Sequence, residues 1–145
     1  MLDHALQGTY RFAVFIETKE RIMVLSELDF LDALNVVVAG HSYTPIIHES
    51  EQALVVEFVK GQKKISLTWP RNSAEVRFGF YLDSENVYDD RIVCSEESEK
   101  NDFIAQIRRV VDRFLNYEVK LSAEGTLLKM KDLKFQDGTG WHHVI

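Results

Sequence analysis

The 145-residue sequence predicts a single α+β domain with an antiparallel sheet at its centre. Three observations predict this class. Apolar residues alternate between about 53 and 82, an apolar repeat of helical period runs from about 95 to 116, and a second alternating stretch lies near the C-terminus. The length fits one domain, and no Gly/Ser-rich linker or internal repeat divides the chain. We therefore expect residues 1–145 to form one globular unit.

The alternating stretch between 53 and 82 contains three runs whose large apolar residues share one face: Leu54, Val56, Phe58; Ile65, Leu67, Trp69; and Val76, Phe78, Phe80, Leu82. Gly61-Gln62 separates the first two runs, and a two-residue loop with Gly first suits a type II′ hairpin turn. This turn sets Phe58 opposite Ile65, because a one-residue slip would move the apolar set to the other face. The pattern predicts a three-stranded meander, with a polar face made of Lys64, Ser66, Thr68, Glu75 and Arg77.

The helical repeat predicts a long amphipathic helix from about Ser95 to Asn116, packed on one face of the sheet. Its apolar residues follow the i, i+4, i+7, i+8 spacing at Phe103, Ile107, Val110, Val111 and Phe114. Ser95 is a suitable N-cap, and acidic residues in the first turn suit the positive end of the helix dipole.

The flanking segments give shorter patterns. Tyr10–Ile16 reads as a strand, and we favour a returning strand at Arg21–Leu25 followed by a helix from about Ser26 over one helix at Lys19–Leu34. That helix would turn three leucines inward, namely Leu28, Leu31 and Leu34. Near the C-terminus, alternation at Tyr117, Val119 and Leu121, a turn at Ser122–Gly125 and a return toward Leu128 and Met130 predict a hairpin.

The net charge of −6 is concentrated in one segment. Asp83–Asp102 holds eight acidic and two basic residues, whereas Lys60–Arg77 holds five basic residues and one acidic residue. The simplest interpretation of the acidic segment is a solvated loop that leads into a helix start. The alternative is a docking surface for a basic protein partner, formed by Asp83, Glu85, Tyr88, Asp89, Asp90, Glu96 and Glu97.

Lysines at the tip of the basic hairpin, Lys60, Lys63 and Lys64, are a common means of blunting edge pairing. They are also candidates for phosphate contacts, but the net charge and the lack of a recognised motif disfavour nucleic-acid binding. The acidic segment lacks the glycine and the terminal glutamate of an EF-hand loop.

No motif identifies a catalytic, metal or cofactor site. The spacing of the five histidines, His4, His41, His48, His142 and His143, does not match a helical metal site. Cys94, the single cysteine, follows Ile92-Val93 and is expected in the core. Gly138-Thr139-Gly140-Trp141 has no helix after it, so we expect a flexible tail with a docking Trp141 rather than a phosphate loop.

These observations favour a small acidic protein-binding domain, of the inhibitor, immunity or adaptor type, that masks a basic partner by stoichiometric binding. One alternative is a small-molecule-binding or enzymatic domain with a pocket between sheet and helix. Another is an oligomeric structural subunit that assembles through the exposed edge of the meander. The single cysteine, the lack of a signal-like N-terminus and the lack of an apolar run near about 18 residues predict a cytoplasmic protein without a membrane span.

Overall fold

The structure, a computed structural model, describes residues 25–39, 43–123 and 131–145. The predicted strand Tyr10–Ile16 and the alternatives for residues 18–24 lie outside these ranges, as do His4 and His41. Two helices are present in the described ranges, α1 (Glu27–Val38) and α2 (Lys100–Asn116). The strands are β1 (Ile46–Glu49), β2 (Ala53–Lys60), β3 (Lys63–Pro70), β4 (Glu75–Leu82), β5 (Glu85–Val93), β6 (Glu118–Ala123), β7 (Lys131–Gln136) and β8 (Trp141–His143).

Strands β1 to β5 form one antiparallel sheet in chain order, and its centre is the predicted meander. Phe58 lies opposite Ile65, as the apolar pattern requires, and Leu67 lies opposite Phe78. Gly61 has a φ of 61° and its loop neighbour Gln62 has no positive φ, which is the combination of a type II′ turn. The α+β class and the register of the meander are thus confirmed.

Nine of the 20 residues of the acidic segment form a strand, so its interpretation as a loop was wrong. Residues 85–93 form β5, and eight of them pair with β4, with a register shift between Phe80 and Tyr81. The connecting turn places Asp83 and Ser84 at φ values of 52° and 69°, as in a type I′ turn. In the described ranges β5 pairs along the β4 edge of the meander, and β1 pairs with residues 54–57 of the β2 edge.

Helix α1 begins where the sequence predicts. Ser26 is its N-cap, and Ser26 and Asp29 form a capping box with backbone contacts of 3.1 and 2.9 Å. The predicted inward leucines were partly wrong, because Leu28 is 67% exposed while Leu34 is buried. The buried stripe instead begins at Phe30, whose ring stacks on Trp69 at 6.0 Å.

Helix α2 buries every residue that its predicted apolar face contains. Its start was predicted too early, because a 3₁₀ turn at Glu97–Glu99 precedes Lys100. The Cys94 backbone N–H still donates a hydrogen bond of 2.8 Å to the carbonyl of Ala74, the residue before β4. Ser95 therefore leaves the sheet instead of capping the helix. The N-cap is Glu99, which makes no side-chain capping bond.

Strands β6, β7 and β8 form a second antiparallel sheet and confirm the C-terminal hairpin. Ser122 belongs to β6, so the predicted turn does not begin there, and residues 124–130 lie outside the described ranges. Trp141 pairs with Gln136 as part of β8. The segment expected to be a flexible tail is therefore a strand with its own tight turn.

The core lies between the large sheet and the two helices and extends to the small sheet. Phe80 meets Phe114 of α2 edge-on at 5.0 Å, and Leu133 and Phe135 of β7 are buried in the same cluster. Cys94 is buried there, as predicted. In the described ranges every fully buried residue of this cluster is apolar. No described helix is long and apolar enough to cross a membrane.

Candidate functional site

The seven residues predicted to bind a partner do not form one patch. They divide along β5, which is about 27 Å long at 3.4 Å per residue. Asp83 and Glu85 lie at the β4–β5 turn, and Glu96 and Glu97 lie beyond the other end of the strand. Between the two ends, alternation places Asp89 on the outer face of the sheet, and Tyr88 and Asp90 on the helix-facing side.

Tyr88 and Asp90 are directed toward the boundary between the two sheets. The Tyr88 ring lies 6.0 Å from the Phe80 ring, and its hydroxyl donates to Asp90 at 3.4 Å. Partial burial raises the pKa of Tyr88, and the nearby carboxylates of Asp90 and Asp132 raise it further. This tyrosine is half-buried, so it is not a projecting aromatic anchor.

The β4–β5 turn lies beside the basic hairpin, a contact that the sequence does not reveal. The Asp83 backbone N–H donates to the Gln62 carbonyl at 2.9 Å. Lys63, Lys64, Asp83 and Ser84 line one shallow depression between the two turns. Asp83 therefore has two lysines of the basic hairpin as neighbours at this end of the sheet.

Two lysines of the basic hairpin, Lys60 and Lys63, also contact the C-terminal end of α2. Lys63 Nζ donates to the carbonyls of Phe114, at 3.0 Å, and Tyr117, and Lys60 Nζ donates to the Asn116 side chain. Cations suit this helix end because its last carbonyls carry partial negative charge. Burial lowers the pKa of Lys63, and the neighbouring Lys60 charge lowers it further. Helix capping thus accounts for Lys60 and Lys63 without a phosphate ligand.

The other end of the sheet gathers carboxylates from separate parts of the chain. Arg71 bridges Glu27 at 2.7 Å and Glu49 at 3.1 Å, and Lys100 bridges Asp29 at 3.3 Å and Glu97 at 2.9 Å. These carboxylates come from the first turn of α1, the end of β1 and the 3₁₀ turn. We call this surface the acidic end and define it by Glu27, Asp29, Glu49, Glu96, Glu97 and Glu99.

The two bridging bases leave much of the acidic end accessible to solvent. The side chains of Glu97 and Glu49 are 76% and 67% exposed. Asp29 is the more enclosed member. Its partial burial alone would raise its pKa, but hydrogen bonds from Ser26 and the Lys100 ammonium outweigh this and hold the pKa below its usual value.

A second group of polar side chains crosses the outer face of the large sheet, as the alternation predicts. Glu57 contacts His48 at 3.0 Å and Lys64 at 3.2 Å, and Lys64 Nζ lies 4.2 Å from the centre of the Tyr81 ring. Partial burial opposes ionisation of Glu57, yet hydrogen bonds from His48 and Lys64 hold its pKa below the usual value. This face is thus a set of paired charges open to solvent.

The remaining described candidates for catalysis or metal binding contact different polar groups. His142 contacts Asp137 at 3.3 Å, and the adjacent His143 pairs with Asp132, so the two rings use different carboxylates. Within residues 25–39, 43–123 and 131–145 no cluster of three His, Cys, Asp or Glu residues is arranged to hold a metal ion. Burial raises the pKa of the Cys94 thiol, which disfavours the reactive thiolate.

Comparison with known proteins adds no family to this description. No protein-family model, curated protein or solved structure matches the chain.

Proposed function

We propose that this domain binds a basic protein partner through the acidic end and masks that partner's surface by stoichiometric occlusion. An inhibitor, immunity protein or adaptor of the cytoplasm would act in this way. The observation that carries the proposal is the convergence of carboxylates from three chain segments around Arg71 and Lys100. A helix start alone accounts for acids in its own first turn, but not for Glu49 at the end of a strand.

The bridging bases prepare the acidic end for binding. Arg71 is itself fixed by a 2.9 Å hydrogen bond from its Nε to the Ser50 carbonyl, so the carboxylates of Glu27 and Glu49 are held before a partner arrives. Side chains that are already ordered lose less entropy on binding. Arginines of a partner can pair with carboxylates in a bidentate manner, and clustered charge accelerates the encounter.

The opposite end of the sheet does not offer the same complement. Asp83 lines the same depression as Lys63 and Lys64, so a basic partner at the β4–β5 turn would meet like charges there. We therefore assign partner binding to Glu96 and Glu97 within the predicted set, and not to Asp83 and Glu85.

The alternative of a ligand pocket between sheet and helices gains no support from the interior. That layer is filled by aromatic and aliphatic side chains, among them the Phe80–Phe114 and Phe30–Trp69 pairs. A ligand there would have to displace packed rings instead of filling a prepared cavity.

Matched charge reversals at the two ends test the proposal. Tagged wild-type protein, a Glu96→Lys/Glu97→Lys variant and an Asp83→Lys/Glu85→Lys variant would be used for native affinity capture from cell extract, followed by mass spectrometry. We expect a basic partner to be retained by the wild type and the 83/85 variant, and lost from the 96/97 variant. Calorimetry with the purified partner should give one-to-one binding that weakens with salt, because exposed charges are screened within about 10 Å at 0.1 M ionic strength.

The control removes the effect of total charge, since both variants change the net charge equally. Far-ultraviolet circular dichroism would establish that both variants fold. Equal retention of the partner by the two variants, or a complex insensitive to salt, would show that the acidic end is not the binding surface.

A further inference from the structure

The outer face of the large sheet contains a depression at the centre of strands β3, β4 and β5, with a volume of about 370 Å³. The strand register arranges its lining residues in rows across the sheet: Thr68, Arg77 and Arg91 in one row, and Ser66, Gly79 and Asp89 in the next. Tyr81 closes the depression on the side away from the arginines. Gly79, which has no side chain, lies at the centre of the second row, and the side chains of Tyr81 and Asp89 extend over it.

The arginine row presents hydrogen-bond donors to a ligand. Arg77 and Arg91 face each other on adjacent strands, and both contact Glu75, which lies in the next row on the side away from Gly79, at 2.7 Å from Arg77 and 3.1 Å from Arg91. Like charges directly opposite each other destabilise a strand pair, and the Glu75 carboxylate offsets part of this repulsion. Because two guanidinium groups share one carboxylate, the group keeps a net positive charge. The two side chains are 61% and 67% exposed. Each guanidinium has five N–H donors, of which Glu75 engages only a part.

The opposite charge lies one row away, above Gly79. A Cβ placed on Gly79 would lie 3.4 Å from Asp89 Oδ1 and 3.2 Å from Tyr81 Cε1, so the carboxylate and the phenol ring both lean over the glycine. Asp89 Oδ1 accepts a hydrogen bond from the Asn86 amide at 3.1 Å. Since a carboxylate has two oxygens, the second oxygen of Asp89 remains an acceptor for a cationic group.

We infer that this depression binds a free α-amino acid, whose carboxylate pairs with Arg77 and Arg91 and whose ammonium group pairs with Asp89. On one strand Arg91 and Asp89 are two residues apart, about 6.8 Å between Cα atoms, so both side chains reach a single small ligand. The hydroxyl groups of Ser66, Thr68 and Tyr81 supply neutral hydrogen bonds around it. This site lies on the outer face and is independent of partner binding at the acidic end.

The chemistry predicts recognition of both charges of the ligand. An arginine pair is suited to a carboxylate, and an aspartate is suited to an ammonium group. A ligand that lacks one of these groups leaves the matching protein charge without its partner. The loss of either group should raise the dissociation constant about tenfold, which corresponds to roughly 1.4 kcal/mol of binding free energy.

Nuclear magnetic resonance titration of the full chain with three matched probes tests this inference. L-alanine carries both charges, N-acetyl-L-alanine lacks the ammonium group, and L-alaninamide lacks the carboxylate. We expect L-alanine to produce saturable shifts in the amide signals of Ser66, Gly79 and Asp89, and the other two probes to bind about tenfold more weakly or not at all. No saturable shift with L-alanine, or equal binding of all three probes, would overturn the inference.

Two variants assign the charges to residues. Asp89→Asn should remove the preference for L-alanine over N-acetyl-L-alanine, and Arg91→Gln should remove its preference over L-alaninamide. Asp83→Asn is the control, because Asp83 lies in the turn before the same strand and outside the depression. Loss of binding in the control equal to that in Asp89→Asn would contradict the assignment. The comparison of the three probes on the wild type decides the inference even where a variant does not fold.

Discussion

Asp29 links the start of α1 to the start of α2, so its replacement tests how the acidic end supports the fold. One carboxylate oxygen accepts from the Ser26 backbone N–H at 2.9 Å, and the other lies 3.3 Å from Lys100 Nζ. Asp29→Asn keeps the size and one acceptor oxygen of the side chain but removes its charge. We expect the variant to fold with reduced stability.

The expected loss is about 1–2 kcal/mol. Removing a capping side chain entirely costs about 0.5–2 kcal/mol. The interaction of a carboxylate with the helix dipole contributes about 0.3–1 kcal/mol, and a partly exposed ion pair about 0.2–1 kcal/mol. The capping, dipole and ion-pair contributions overlap, and asparagine retains part of the capping contribution. The loss should therefore be smaller than the sum of the three.

Urea unfolding followed by circular dichroism measures this loss. With a slope near 2 kcal/mol per molar urea, the midpoint should fall by about 0.5–1 M at pH 7. Asp32→Asn, on an exposed position of the same helix, is the control and should change stability by less than about 0.5 kcal/mol.

The pH dependence provides a second test of the same residue. The folded pKa of Asp29 lies below its ordinary value of 3.8, so its stabilisation is complete above that value and is lost as pH falls through the folded pKa. The deficit of Asp29→Asn should therefore be full at pH 7 and narrow below pH 3.8. A deficit of equal size at pH 7 and pH 3, or one no larger than that of Asp32→Asn, would refute the reasoning.

Three further substitutions test other parts of the fold by the same unfolding assay. Lys63→Met removes the hydrogen bonds to the end of α2 and should lower the free energy of unfolding by about 1–2 kcal/mol. Charged hydrogen bonds to carbonyls are worth about 1.5–3 kcal/mol, and burial of the ammonium group offsets part of this. The control Lys64→Met should lower it by less than about 1 kcal/mol. Phe80→Ala removes the ring that meets Phe114 and should cost about 3–5 kcal/mol; a smaller loss would mean that the core closes over the gap. Gly61→Ala forces a side chain onto a positive φ and should cost about 1 kcal/mol, whereas an unchanged midpoint would argue against the type II′ turn.

Local patterns explain why the meander and the two helices were predictable. Alternation fixed which residues of β2, β3 and β4 face inward, and Gly61 fixed the register of the first hairpin. Ser26 followed three residues later by Asp29 fixed the start of α1. In each case the deciding residues lie within one turn or one hairpin, so the sequence contains the whole signal.

Strand β5 was missed because its residues have low intrinsic strand preference. Asp, Asn and Glu are depleted in strands, and this segment contains all three. Its outer residues form polar contacts on a solvated face, such as Arg91 with Glu75. Its structure is determined by pairing with β4, which depends on a turn at Asp83-Ser84. Both turn residues have positive φ values, but neither is a glycine, the residue that usually indicates such a turn in a sequence.

The acidic end was only half predictable for a different reason. Glu96 and Glu97 stand out in a run of acids, but Glu27 and Glu49 are brought together on Arg71 only in the folded chain. The signal in the sequence for Glu27 and Asp29 was their place in a predicted first helical turn, which indicates dipole compensation and not a shared surface. Arg71, which joins two of the segments, follows Pro70 with no pattern to mark it.

The charge asymmetry of the sequence becomes a polarity along α2 in the structure. Its start lies near carboxylates. At its other end, about 26 Å away at 1.5 Å per residue over 17 residues, Lys63 donates to backbone carbonyls and Lys60 donates to the Asn116 side chain. Dipole compensation accounts for Lys63, because its ammonium group donates to the terminal carbonyls, whereas Lys60 pairs with the Asn116 side chain. It accounts for the acids only in part, since Glu49 belongs to a strand and is fixed by Arg71 instead of a helix. The surplus of exposed carboxylate at one end, beyond what the helices need, is the feature that favours a basic partner there.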